Sequence, residues 1–140
     1  MDIMSESKYA ADAKDVVTRF IAVWGVADPE DRVAAVAGLW AADGVEFVEG
    51  KRFEGQTELV ERVKTAYEAF IGNDKYVGRF GDDLTVHDDL LRFTIELRER
   101  TEQDGELGEL AWAARVFLLL DDDGLVQQSY QVTVKPLPPA

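Results

Sequence analysis

The order of apolar and polar positions along this 140-residue chain predicts helices first and strands after. Between Ala13 and Val26, the residues Val16, Val17, Phe20, Val23 and Trp24 fall at helical spacing and share one face of a first helix. Asp28-Pro29 predicts the start of the next: Asp28 can accept from free N–H groups of the first turn, and Pro29 stands where its missing donor costs nothing. The second helix carries Val33, Val36, Leu39 and Trp40 as its stripe and is expected to stop at Asp43-Gly44. Val45 to Glu49 alternates like a short strand, and Lys51 to Phe53 can pair with it across Gly50. A third helix is expected from Gln56 to Ile71, with Val60, Val63, Tyr67 and Phe70 as its stripe and Glu58 and Arg62 placed as an i,i+4 pair. Gly72-Asn73 ends it.

Beyond that point the chain reads as strands. Leu84 to His87 is short, whereas Leu91, Phe93, Ile95 and Leu97 alternate with Arg92, Thr94, Glu96 and Arg98, which predicts a strand with one dry and one wet face. The stretch ELAWAARVFLLL, residues 109 to 120, is apolar on both faces and is expected at the centre of a sheet. DDDG at 121 to 124 predicts a hairpin turn and LVQQSYQVTV at 125 to 134 the returning strand. The tail KPLPPA cannot continue a sheet, because proline lacks the N–H donor. The start has no apolar stripe, so a flexible N-terminus (1–10), one domain (11–135) and a flexible C-terminus (136–140) are expected. Segregated helices and strands define an α+β class, in which the helices bury their stripes on one face of a curved sheet.

Composition narrows the function classes. A net charge of −13 sets up a field that repels nucleic-acid phosphates and anionic lipid, so neither is an expected partner, and a strongly anionic ligand would need a local basic pocket. The absence of cysteine removes disulfides and thiolate chemistry, and the single histidine, His87, excludes any site that needs two within one chain. No apolar run is long enough to span a membrane and the start is too polar for a signal peptide, so a cytoplasmic location is expected. Asp121 to Asp123 lack the spacing of a calcium loop and read as a solvated turn. No metal or cofactor is expected.

The element order, with LWAADGVEFVEGKRFEG at 39 to 55 and DDDGLVQQSYQV at 121 to 132, resembles the NTF2-like superfamily and within it the SnoaL-like group. The resemblance runs from about Asp12 to Val134. It implies a cystatin-like α+β cone, with three N-terminal helices packed on a curved, mainly antiparallel sheet around an internal pocket for a small apolar or aromatic molecule. It also implies a homodimer through the outer face of the sheet. Isomerase, cyclase or dehydratase chemistry of the acid–base kind would follow from such relatives. The residues depart from the known patterns, however. Steroid-isomerase-like members carry a carboxylate near the end of the first strand, where Val48-Glu49 falls here, but the tyrosine they need on the first helix is missing from its inward stripe. The Arg-x-Asp pair of epoxide-hydrolase-like members meets Arg92-Phe93-Thr94 and Arg115-Val116-Phe117, which lack the acid. Dehydratase-like members use two histidines.

Candidate site residues follow from the strand faces. An even hairpin loop would put Ala113, Arg115, Phe117 and Leu119 on one face with Val126, Gln128, Tyr130 and Val132; an odd loop would swap the pairing. That face is expected to be concave, as the less polar side of the last strand. Arg115, Gln128 and Tyr130 would then be the polar groups of the pocket, with Trp40, Phe47, Tyr67 and Phe117 as its walls. Arg115 would anchor a ligand carboxylate, enolate or phenolate, or else pair with a buried acid such as Glu46 or reach a dimer seam. Tyr130 would bond a ligand oxygen or a backbone carbonyl. Glu46, with a pKa raised by burial, and Tyr130 are the candidate catalytic groups. A void of at least about 300 Å³ holding Arg115 would mark a ligand binder; a filled interior would mark a non-catalytic association domain.

Overall fold

The computed structural model describes residues 12–101 and 107–137; the expected flexible start, and 138–140 of the expected tail, lie outside the described residues. Among them, α1 (Ala13–Val23), α2 (Pro29–Leu39), β1 (Trp40–Val48), β2 (Lys51–Glu54), α3 (Gly55–Ala66) and a π-helical turn (Tyr67–Ile71) precede the remaining strands. These are β3 (Tyr76–Phe80), β4 (Thr85–His87), β5 (Leu90–Arg100), β6 (Leu107–Leu120) and β7 (Val126–Lys135). The strands form one curved, unclosed sheet in the order β2-β1-β7-β6-β5-β3, with β4 also paired to β5. Every pairing is antiparallel except that of β1 with β7, which is parallel. The α+β class and the mainly antiparallel sheet agree with the sequence reading, although α3 enters only after the first hairpin. No described helix is long and apolar enough to cross a membrane.

The start of α2 follows its local chemistry: Asp28 Oδ2 accepts from the Asp31 N–H at 3.0 Å, and Pro29 is the first helical residue. Its end does not. The helix stops at Leu39, and Trp40 is already extended at φ −94°, ψ 146°. Asp43-Gly44 instead belongs to a bulge at the start of β1, where residues 41–44 lie opposite Gln127 alone. Side chains close this bulge: Gln127 Nε2 donates to Asp43 Oδ1 at 3.1 Å, and Gln56 Nε2 donates to the Ala41 carbonyl at 3.1 Å. The reason is burial, because Trp40 enters the core against Phe20 and Trp24 and its indole N–H reaches Ser129 Oγ at 3.2 Å.

Phe20 meets Trp24, Trp40 and Phe93 edge to face, with ring centroids 5.7 to 6.1 Å apart. Around this centre the helices bury Val16, Val17, Val36, Leu39, Leu59 and Val63 against Leu91, Phe93 and Ile95 of β5 and Ala114, Val116 and Leu118 of β6. The last hairpin pairs Arg115 with Val132, Phe117 with Tyr130 and Leu119 with Gln128, as an even loop requires. The faces are opposite to the expectation. Trp112, Ala114, Val116 and Leu118 face the helices together with Ser129 and Gln131, while Arg115, Tyr130 and Val132 are exposed on the outer side. Val126 alone changes side, since a shift in register before it pairs it with Leu120 in the core. Apolarity failed as a guide to the inside because β7 turns its polar residues inward to serve a buried carboxylate.

Candidate functional site

That carboxylate is Glu46. Strand β1 directs it between β7 and α3, where it is 0% exposed. Its Oε2 accepts from Arg62 Nε at 3.0 Å, its Oε1 accepts from Ser129 Oγ at 2.8 Å, and Gln131 Nε2 donates to both oxygens at 3.3 and 3.4 Å. Ser129 in turn accepts from the Trp40 indole, so the buried acid ends a chain of satisfied polar groups. Burial pushes the Glu46 pKa above its ordinary value; the Arg62 charge, and hydrogen bonds from Ser129, Arg62 and Gln131, oppose this only in part. The expected pairing of Arg62 with Glu58 is not formed. Glu58 turns back to accept from the Glu54 N–H at 2.8 Å at the start of α3, which frees Arg62 to point inward.

Above this pair lies a cavity of about 250 Å³ between the ends of α1 and α3 and the inner face of the sheet. Ile21, Trp24, Phe70, Ile95, Leu97 and Trp112 supply apolar wall, and the π-helical turn brings Phe70 and Ile71 to it. The polar wall is Arg62, Gln131, Thr133, Glu49, Arg79 and Glu96. The Arg62 guanidinium lies over the Trp24 ring at 4.9 Å and the Phe53 ring at 5.7 Å, and its side chain retains 17% exposure. Glu49 is at the β1–β2 turn with a positive φ of 51°, next to Gly50 at 75°, and accepts from Thr133 Oγ1. The Glu96 carboxylate is held by Arg98 Nε at 2.8 Å.

The sequence candidates are placed differently. Arg115 is exposed on the outer face, so it neither anchors a pocket ligand nor pairs with Glu46. Its neighbour in charge is Asp83: burial raises that carboxyl, but hydrogen bonds from Thr94 and, last, the Arg115 charge leave its pKa lowered. Gln128 and Tyr130 are also outside, where Tyr130 OH donates to Gln128 Oε1 at 3.0 Å. Phe47 stacks on Tyr130 with centroids 4.7 Å apart, and Phe117 lies on the same face. Trp40 is core, and Tyr67 carries the buried Arg32 guanidinium over its ring at 5.4 Å; neither lines the cavity. Of the two catalytic candidates, Tyr130 is on the wrong face, and Glu46 lies beneath Arg62 and Gln131 rather than on the cavity wall. The void holds Arg62, not Arg115, and falls below the expected 300 Å³. One signal could have located it: Leu59, Arg62, Val63, Ala66 and Phe70 form a helical stripe with Arg62 inside it. Among the described residues no three His, Asp or Glu side chains gather to hold a metal ion.

No protein-family model and no curated protein sequence matches the chain. Solved structures do. A protein of the SnoaL-like family from Agrobacterium tumefaciens str. C58, assigned as an isomerase, superposes with a TM-score of 0.75 at 18% identity, over 88% of this chain and 97% of that one. A protein from Jannaschia sp. CCS1, assigned as a SnoaL-like polyketide cyclase, superposes with a TM-score of 0.64 at 16% identity, over 92% and 90%. A protein of ketosteroid isomerase-like fold from Catenulispora acidiphila DSM 44928, in complex with trimethylamine, gives 0.61 at 13%, over 84% and 83%. At these identities the likeness concerns the fold.

Proposed function

From an NTF2-like, SnoaL-like fold as the premise, we propose that this chain binds a small, largely apolar molecule in its internal cavity. The observation that carries this reading is the cavity itself: an apolar chamber with a guanidinium on its wall, anchored by a buried acid and stacked on an indole. A core built only for stability would gain little from holding a cation beside an empty apolar space. The trimethylamine complex of the Catenulispora protein is a second support, since a related fold there holds a small molecule. Titration with cinnamyl alcohol, followed through the Trp24 indole, tests the reading. The chain as it is should bind, and Ala66→Phe, which fills the cavity from α3, should not. Absence of binding, or binding indifferent to that substitution, overturns the proposal.

Acid–base turnover is a second reading, favoured by Glu49. It is the cavity-lining carboxylate at the end of the first strand, where the steroid-isomerase-like pattern carries its base. Glu49→Gln should then abolish turnover of an enolisable ketone while leaving binding intact. The outer face supports association. Tyr130, Val132 and Val134 are exposed beside Phe47 and Phe117, a surface suited to a second copy of the chain.

A further inference from the structure

This inference rests on the ligand-binding reading and concerns what the ligand carries at its polar end. The unpaired polar groups beside the apolar wall include a fixed pair of donors. Among the described residues, Arg62 Nη1 and Nη2 have no hydrogen-bond partner although Nε is fixed on Glu46, and Arg79 has none either. The indole N–H of Trp24, another wall residue, is buried without an acceptor. Of the acceptors on the same wall, Glu49 Oε1 is engaged by Thr133 and Glu96 Oε1 by Arg98. A ligand that completes the Arg62 guanidinium brings acceptor oxygens.

We infer that the cavity takes a small apolar monocarboxylic acid, its carboxylate held by the two terminal nitrogens of Arg62. Those nitrogens form a rigid planar fork that matches two carboxylate oxygens, and the side chain is already oriented by Glu46 and by stacking on Trp24. The chain carries 28 acidic against 15 basic residues, so its overall field disfavours anions, and the cavity wall sets two arginines against two glutamates; a carboxylate is drawn there by the paired donors of Arg62 and not by an excess of positive charge. A volume of about 250 Å³ is below that of drug-sized pockets and suits an acid built on one ring.

Cinnamate and cinnamyl alcohol share the same apolar body and separate this inference from the reading beneath it. By calorimetry, cinnamate should bind at least about tenfold more tightly than the alcohol, a difference of about 1.4 kcal/mol. The preference should vanish in Glu46→Gln/Arg62→Gln, which keeps a neutral hydrogen-bonding pair in the buried site. Should that variant not fold, nitrogen-15 spectra of the unaltered chain decide: cinnamate, and not the alcohol, should shift the Arg62 Nε–H resonance. Equal affinity for acid and alcohol overturns the carboxylate and leaves the cavity reading standing. A preference retained in the folded double variant removes Arg62 from the role. If neither molecule binds, both readings fall.

Discussion

Glu46 and Arg62 form an ion pair across the interior, with Oε2 and Nε 3.0 Å apart and the two side chains 0% and 17% exposed. The pair joins the first strand to the third helix beneath the cavity. It stabilises little by itself, because desolvating two charges offsets most of their attraction, but removing one partner leaves the other in apolar surroundings. Arg62→Met should therefore cost about 3–5 kcal/mol in urea denaturation at neutral pH, and Glu46→Leu/Arg62→Met should recover most of that loss. A double variant no more stable than Arg62→Met would show that the arginine works through packing on Trp24 and not through charge.

The raised pKa of Glu46 sets a pH dependence with a definite sign. The folded chain keeps a proton that the unfolded chain releases near its ordinary value of 4.5, so stability falls as pH rises from there through the folded value, then levels off. Arg62 from α3 and the neutral Ser129 and Gln131 from β7 contact the carboxylate; Glu49, Glu96 and Arg79 are the other charges on the cavity wall. Glu46→Gln removes this slope. Thermal melts of the two proteins should run parallel below about pH 4.5 and separate above it, with the unaltered chain losing ground. Parallel curves throughout would place the Glu46 pKa at its ordinary value, and curves that separate only below about pH 4.5 would place it lower.

These two residues also mark how far the sequence could be read. Helical spacing around Phe20 and the Asp28-Pro29 start were visible because each depends on neighbours in the chain. The helix-two end was not, since Trp40 leaves the helix to fill a space defined by Phe20, Trp24 and Ser129. The same holds for the sheet faces. β7 alternates Ser129, Gln131 and Thr133 with Tyr130, Val132 and Val134, and apolarity alone sends the second set inside. The structure does the reverse, because Glu46 on a neighbouring strand needs donors from Ser129 and Gln131. Arg115 went outward with that choice, and Arg62 took the interior place that had been expected for it.

The outer face gives a prediction about association. Val132 is 52% exposed and Tyr130 39%, with Phe47 stacked on Tyr130, so this surface is apolar where water meets it. Val132→Glu should leave the thermal midpoint of a monomer nearly unchanged, because the side chain makes few internal contacts. It should convert a dimer to a monomer in sedimentation equilibrium. A chain monomeric before the substitution at about 100 μM would refute association through this face, since a stable homodimer of this kind holds well below that concentration.

Two glycines near the second helix should respond oppositely to the same change. A Cβ on Gly38, in α2, would meet nothing within 4 Å, and the carbonyl that accepts from Arg19 Nη1 would remain in place. Gly38→Ala should stabilise by about 0.5–1 kcal/mol through a lower backbone entropy in the unfolded chain. A Cβ on Gly44 would stand 2.9 Å from the Val126 carbonyl oxygen, 3.0 Å from that of Ala41 and 3.2 Å from Trp40 Cβ. Two of these are backbone atoms in the bulge where β1 meets β7, so relief requires the strands to part. Gly44→Ala should cost about 1–3 kcal/mol in denaturant melts. Because Glu46 follows two positions later on β1 and takes its hydrogen bond from Ser129 on β7, the strain reaches the ion pair as well. Cinnamate affinity should fall in Gly44→Ala and stay unchanged in Gly38→Ala; equal affinities would show that the bulge does not position the Glu46–Arg62 pair.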